Sequence, residues 1–159
     1  MLIRRFAIAA LGLSVIALAM HGAEAQLIEK KTLSLAAAKK MAAAAEAEAG
    51  RNNWAMVITV VDDGGNLIYL ERMDGAQLGS VEVSQRKART ALRFKRPTKD
   101  LEDAIGKGRL GIITIGDIAA VQGGLPLMID GKAIGAIGVS GGSSDQDAQC
   151  AWAGLATAQ

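Results

Sequence analysis

Leu125-Pro126-Leu127-Met128-Ile129-Asp130-Gly131-Lys132-Ala133-Ile134-Gly135-Ala136-Ile137-Gly138-Val139-Ser140 is an apolar run, a two-residue turn and a second apolar run. Asp-Gly between two such runs is a strong hairpin signal, because both turn positions take positive φ. Leu125 to Asp130 is therefore expected as one strand and Lys132 to Ser140 as its antiparallel partner. Gly135 and Gly138 fall inside the second strand, where glycine marks close approach of another backbone or of a ligand.

Upstream, Trp54 to Val61 is apolar on both alternating faces (Trp54, Met56, Ile58 and Val60 against Ala55, Val57 and Val61), the pattern of a central strand. Asp62-Asp63-Gly64-Gly65-Asn66 turns it into Leu67 to Met73, and Asp74-Gly75 ends that second hairpin. Three helical stretches frame the hairpins. Ser34 caps an alanine-rich segment from Leu35 to Ala49, stopped at Gly50, with Leu35, Ala38, Met41, Ala42, Ala45 and Ala49 on one stripe. Ser80 is placed to cap a helix to about Phe94, with Val81, Ser84, Ala88, Ala91 and Leu92 inward. Pro97 breaks it, and a short helical segment runs from Thr98 through Lys107. The glycines at 106, 108 and 111 imply a loop before Ile112 to Ile115. Ser140-Gly141-Gly142-Ser143-Ser144 leads into a last helix from Asp145 to about Thr157. The order helix, hairpin, helices, hairpin, helix predicts a single α+β domain: one antiparallel sheet of about five strands, packed by helices.

Composition excludes several chemistries. The chain has 159 residues with one histidine, His21, and one cysteine, Cys150, so neither an intramolecular disulfide nor a structural zinc site fits in one copy. The 18 basic residues are nearly balanced by 16 acidic ones, which gives no footprint for nucleic acid. Residues 1–25 have the three parts of a cleavable export signal: Arg4 and Arg5, an apolar run from Phe6 to Met20, and Ala23-Glu24-Ala25. That run of fifteen residues is short of the roughly 20 that span a bilayer. The expectation is a periplasmic or secreted domain, residues 26–159, without stable membrane insertion. Cleavage removes His21, so Ser-His-Asp, Cys-His and most zinc-hydrolase mechanisms are excluded for the exported chain. Cys150, amid Ala148, Ala151, Trp152 and Leu155, is expected to be buried.

Six short motifs recur in order: Val61-Asp62-Asp63-Gly64-Gly65, Arg72-Met73-Asp74-Gly75-Ala76, Lys87-Ala88-Arg89-Thr90-Ala91, Arg96-Pro97-Thr98, Gln122-Gly123-Gly124-Leu125-Pro126 and Ile134-Gly135-Ala136-Ile137-Gly138-Val139-Ser140-Gly141. Together they resemble the GlcG/HbpS family of haem-degrading or haem-binding domains, also found at the C-terminus of PduO-type proteins. The resemblance spans roughly Leu33 to Ala156. It implies an antiparallel α/β subunit that assembles into symmetric homo-oligomers, and in some members it implies binding of haem or a corrinoid. Without histidine, iron ligation in the exported chain falls to Met, Tyr, Cys, Lys or a hydroxyl, or is absent.

The candidate ligand-binding residues are Met73, Asp74, Lys87, Arg96, Ser140, Gly141, Gly142 and Gln146. Met73 is a soft contact for a metal or a core filler, and Asp74 a polar anchor or a turn residue. Seven basic residues between Arg86 and Lys99, with Lys87 and Arg96 in family motifs, either clamp carboxylates or form a solvated helix face. The Ser140-Gly141-Gly142 loop precedes a helix and offers amides to an anion, or is an ordinary cap; Gln146 follows it in a family motif. Tyr69, Trp54 and Trp152 read as packing or interface residues, and Asp62-Asp63 and Glu102-Asp103 as structural acids.

Three readings follow. The first is an exported homo-oligomer binding haem, a related tetrapyrrole or a small carboxylate near Met73-Asp74, Lys87 and Ser140-Gly141-Gly142. The second is an enzyme acting on a small hydroxy- or keto-acid, with Asp74 and Lys87 as first choices for the base. The third is an accessory scaffold that works through its oligomer surface.

Overall fold

Both hairpins form, and they join into one sheet through the first strand of the earlier hairpin and the second strand of the later one. The computed structural model describes residues 27–158, so the export signal expected over residues 1–25 lies outside the described residues. Residues 27–30 are exposed coil; Lys31 onward is one compact unit. Its order is α1 (Leu35–Arg51), β1 (Val57–Asp62), β2 (Leu67–Arg72), α2 (Ser80–Phe94), α3 (Thr98–Gly106), a 3-10 helix (Leu110–Thr114), β3 (Gly124–Ile129), β4 (Lys132–Ser140), α4 (Ser144–Leu155) and a 3-10 turn (Ala156–Ala158). The sheet order is β2-β1-β4-β3, with every neighbouring pair antiparallel. β1 is central, as its two apolar faces require. Among the described residues the sheet has four strands rather than about five. The stretch around Ile112 coils as a 3-10 helix, with Leu110 and Ile113 turned to solvent, and pairs with no strand.

The turns follow their chemistry. Asp130 and Gly131 both take positive φ, 50° and 73°, as a two-residue hairpin demands. At the other hairpin one Asp62 carboxylate oxygen accepts from the amides of Gly64 and Asn66, each at 2.8 Å.

Two helices cover one face of the sheet and α2 the other. Ile58, Val60, Leu125, Leu127, Ile137 and Val139 pack with Met41, Ala42, Ala45 and Cys150 of α1 and α4. The alanine stripe of α1 lets α4 approach closely, and Gly154 completes that fit: a Cβ there would stand 2.7 Å from the Met41 carbonyl. On the opposite face Val61 and Ala136 meet Ala88, Ala91 and Leu92 of α2. Here the interior glycines earn their place. A Cβ on Gly138 would lie 2.1 Å from the Ser84 carbonyl, and one on Gly124 2.4 Å from the Lys87 carbonyl, so the α2 backbone rests directly on β4 and β3. The close approach expected at Gly138 is of another backbone.

Several boundaries differ from expectation for local reasons. Ser34 does cap α1, accepting from the Ala37 amide, but Gly50 lies within the helix, which ends at an Asn52 cap. Leu35 belongs to the stripe by spacing, yet sits in the first turn, half exposed and beyond the reach of the sheet. Ser80 is the first residue of α2 rather than its cap; Gly79 precedes it, and Ser80 is buried. Val81 is only partly buried, whereas Lys87 and Thr90 are inside.

Candidate functional site

At the end of the sheet where β1 begins, three segments gather. The Met73 amide donates to the Met56 carbonyl at 3.0 Å, continuing the hairpin by one bond beyond Arg72. Gln77 Nε2 donates to the Gly141 carbonyl at 3.0 Å, tying the Asp74-Gly75 corner to the loop after β4. A Cβ on Gly141 would meet the Ala55 carbonyl at 2.3 Å, so that loop lies against the start of β1. Arg72 braces the corner by donating twice to the Ala76 carbonyl.

This corner opens into a cavity of about 470 Å³ lined by Glu46, Gly50, Asn53, Trp54, Ala55, Met73 and Asp74. The lining combines a thioether, an indole and two carboxylates, with no cation among these residues. Glu46 stands beside Glu71, whose negative charge, assisted by partial burial, holds the Glu46 carboxyl above its ordinary range. The Tyr69 hydroxyl donates to Glu71 Oε2 at 2.9 Å, and that bond raises its pKa, keeping it a phenol.

The other expected residues are placed differently. Lys87 is 1% exposed and Asp147 3%. Lys87 Nζ donates to Asp147 Oδ2 at 2.6 Å and to the Val139 carbonyl at 3.1 Å. Asp147 Oδ1 accepts from the Gly142 amide at 3.0 Å. Burial raises the Asp147 carboxyl, opposed by the Lys87 ammonium and the loop amides. The pair is a strut joining α2, the end of β4 and α4. It backs the Ser140-Gly141-Gly142 loop, and neither partner lines the corner cavity. Ser140 is buried in the last rung of β4, opposite Val57. Gln146 closes a capping box with Ser143, its side chain accepting from the Ser143 amide at 2.9 Å. Arg96 is exposed beyond the C-terminal end of α2, its Nε on the Phe94 carbonyl. Met73 and Asp74 thus share a cavity, the 140–142 loop and Gln146 stand behind it, and Lys87 and Arg96 are outside it. Asp74 and Lys87 do not face one space.

Sequence reasoning missed Asp147, and missed Lys87 as an interior group. A signal existed for Lys87: it lies three residues after Ser84 and four before Ala91, on the inward stripe of α2. Nothing in the sequence singled out Glu46 or Asn53 as cavity walls.

The donors able to ligate iron can now be compared. Cys150 is wholly buried and its thiol is pushed up to about 11, chiefly by that burial. Tyr69 is held as a phenol, and the single histidine of the sequence lies outside the described residues. Met73 alone of the sulfur and phenol donors lines the corner cavity.

Comparison with known proteins agrees with this fold. The model of a family described as haem degrading protein HbpS-like matches residues 33–156. The chain belongs to the HbpS-like family. Among curated relatives of this HbpS-like chain, GlcG of Escherichia coli strain K12 is 43% identical over 111 residues, covering 70% of this chain and 83% of GlcG. Among solved structures, the Klebsiella pneumoniae protein ORFY matches with a TM-score of 0.79 at 38% identity, over 83% of this chain and 94% of that one. A PduOC:haem complex matches with a TM-score of 0.73 at 32% identity, over 79% of this chain and 94% of that one. The similarity to HbpS-like structures covers the four-stranded antiparallel sheet and its helices.

Proposed function

We propose that this HbpS-like protein is exported and acts as a homo-oligomeric binder of a metallo-tetrapyrrole, haem or a related macrocycle, held at the corner cavity. The observation that carries the reading is Met73: a thioether in an open cavity beside the indole of Trp54, in a chain whose family is named for haem and one of whose structural neighbours is a haem complex. A thioether is an accepted axial ligand to haem iron, and an indole is a flat wall for a macrocycle. Bound haem would supply its redox-active iron, and the chain supplies the sulfur ligand and the wall.

The same lining narrows the ligand. Glu46 and Asp74 place two carboxyl groups in the lining with no cation opposing them, so a free small carboxylate is disfavoured at this corner. A macrocycle whose acidic side chains point to solvent, or are neutral, meets no such penalty. For export, the support is the leader-like sequence of residues 1–25.

Hemin titration of the purified protein, followed at the Soret band, tests the reading. A saturable shift is expected, weakened about tenfold or more in Met73→Ala. No saturable shift from protein that is folded and assembled overturns it. Mass measurement of protein recovered from the periplasm, expected to begin at Gln26, tests export, and light scattering tests assembly.

A further inference from the structure

The segment that carries the 3-10 helix, between α3 and β3, stands off the body of the domain. A Cβ built on Gly108, Gly111 or Gly116 meets no atom within 4 Å, whereas one on Gly124 or Gly138 meets backbone at once. The base of the segment is fixed, because the Ala119 amide donates to the buried Thr90 hydroxyl at 2.9 Å and the Gln122 amide to Glu102 at 2.9 Å. At its tip, apolar side chains face solvent: Leu110 is 59% exposed, Ile113 65% and Ile115 43%. The tip's polar groups bond to one another. The Ile112 amide donates to the Arg109 carbonyl at 3.2 Å, the Ile115 amide to the Ile112 carbonyl at 3.1 Å, and the Thr114 hydroxyl to the Gly111 carbonyl at 2.8 Å. A segment whose polar groups are met internally enters an apolar phase at least cost.

The charge left open beside this tip is positive. Lys107 and Arg109 are exposed, and among the described residues neither side chain has a hydrogen-bond or ion-pair partner. Arg109 lines one shallow cavity of about 410 Å³ together with Leu110, Ile112 and Ile115, so a cation and apolar side chains share one opening. The acids of the flanking segments are turned to other tasks. Asp117 is held by Arg86 and Arg93, Glu102 by the Gln122 amide and Asp103 by Lys99, while Asp100 lines a different cavity with Trp152. Bulky aliphatic side chains at the end of a projecting loop, with unopposed cations beside them, match the layered chemistry of an anionic lipid surface, hydrocarbon below and phosphate above. A two-fold contact between copies matches it less well, because it would set the same patch, and so the same open cations, against itself.

We propose that this tip is a reversible contact with anionic lipid bilayers, Leu110, Ile113 and Ile115 entering the interfacial layer and Lys107 and Arg109 meeting the phosphate headgroups. The contact is peripheral; no helix among the described residues is long and apolar enough to cross a membrane. It is separate from the tetrapyrrole corner and goes beyond the function proposed above. Sedimentation of the purified protein with vesicles tests it, using phosphatidylcholine alone or mixed in equal parts with phosphatidylglycerol. Saturable binding to the mixed vesicles is expected, about tenfold or more tighter than to phosphatidylcholine and weakened by salt. Lys107→Gln combined with Arg109→Gln removes that preference. Ile113→Ser, a change at an exposed position, weakens binding about tenfold and leaves thermal unfolding and oligomeric state as in the parent. Ile113→Trp adds a blue-shifted emission that brominated lipid quenches. No binding to the mixed vesicles, equal binding to both kinds, or full binding by Ile113→Ser overturns the proposal. So does a change of oligomeric state in Ile113→Ser with no vesicle binding in the parent, which would make this tip a contact between copies. All of these measurements are made without hemin, so failure of hemin to bind leaves the vesicle result intact and the two readings fail separately.

Discussion

The two faces of the sheet are packed by different means. Toward α1 and α4, branched aliphatic chains and methionines interdigitate, and the contact is a matter of apolar area and volume. Toward α2 there is little apolar side chain to bury. Glycines at 124 and 138 let backbone touch backbone, and polar groups are taken inside and satisfied: Thr59 Oγ1 and Ser84 Oγ share a hydrogen bond of 2.8 Å, Thr98 Oγ1 accepts from the Gly124 amide at 3.0 Å, and Lys87 meets Asp147. An area-driven face tolerates the loss of a carbon. A face built on contact distance does not tolerate the gain of one.

The largest expected effect is therefore on the glycine face. Gly138→Ala forces a Cβ to within 2.1 Å of one α2 carbonyl and 2.5 Å of the Ala88 amide nitrogen, atoms that move only with the helix. A loss of about 5 kcal/mol is expected, beyond the usual range for overpacking because the clash is with backbone. Chemical denaturation measures it, and a loss under about 1 kcal/mol would show that α2 is free to shift. Next, Lys87→Met leaves the buried Asp147 carboxyl without its counter-charge, with an expected loss of about 3–4 kcal/mol. Lys87→Met combined with Asp147→Asn, which keeps an acceptor for the Gly142 amide, is expected to lose less than Lys87→Met alone. A double variant worse than the single one would contradict the strut. On the aliphatic face, Ile137→Val removes one carbon from a fully buried side chain and is expected to cost about 1 kcal/mol. The smallest signature belongs to Cys150 on that same face: with its thiol buried and raised to about 11, it is expected not to react with a thiol reagent at pH 8 until the protein unfolds.

The same contrast explains how much could be read in advance. Hairpins, the central strand and the alanine stripe are periodic signals carried by apolar side chains, so β1 with its two apolar faces and α1 with its Ser34 cap were legible. Gly138 was legible as a point of close approach, though not what approaches it. Lys87 was harder, because a lysine on an inward stripe declares itself only when its partner is known, and Asp147 lies 60 residues away on another helix. The apolar stretch around Ile112 coils as a 3-10 helix, since apolar character alone does not decide whether a segment pairs with a sheet. For the site, Met73 and Asp74 were legible as residues at the end of a strand. Glu46 and Asn53 come to the cavity from α1 and the loop behind it, a placement that only tertiary packing decides.

The central functional claim is that Met73 presents its sulfur to a tetrapyrrole metal at the corner beside Trp54. Its most direct test is the methionine-methyl spectrum of the protein during titration with hemin. Met73 is expected to shift or broaden first and saturably, while Met41 and Met56, both wholly buried in the core, stay in place until the site is full. Saturable hemin binding that leaves the Met73 methyl untouched would contradict the account.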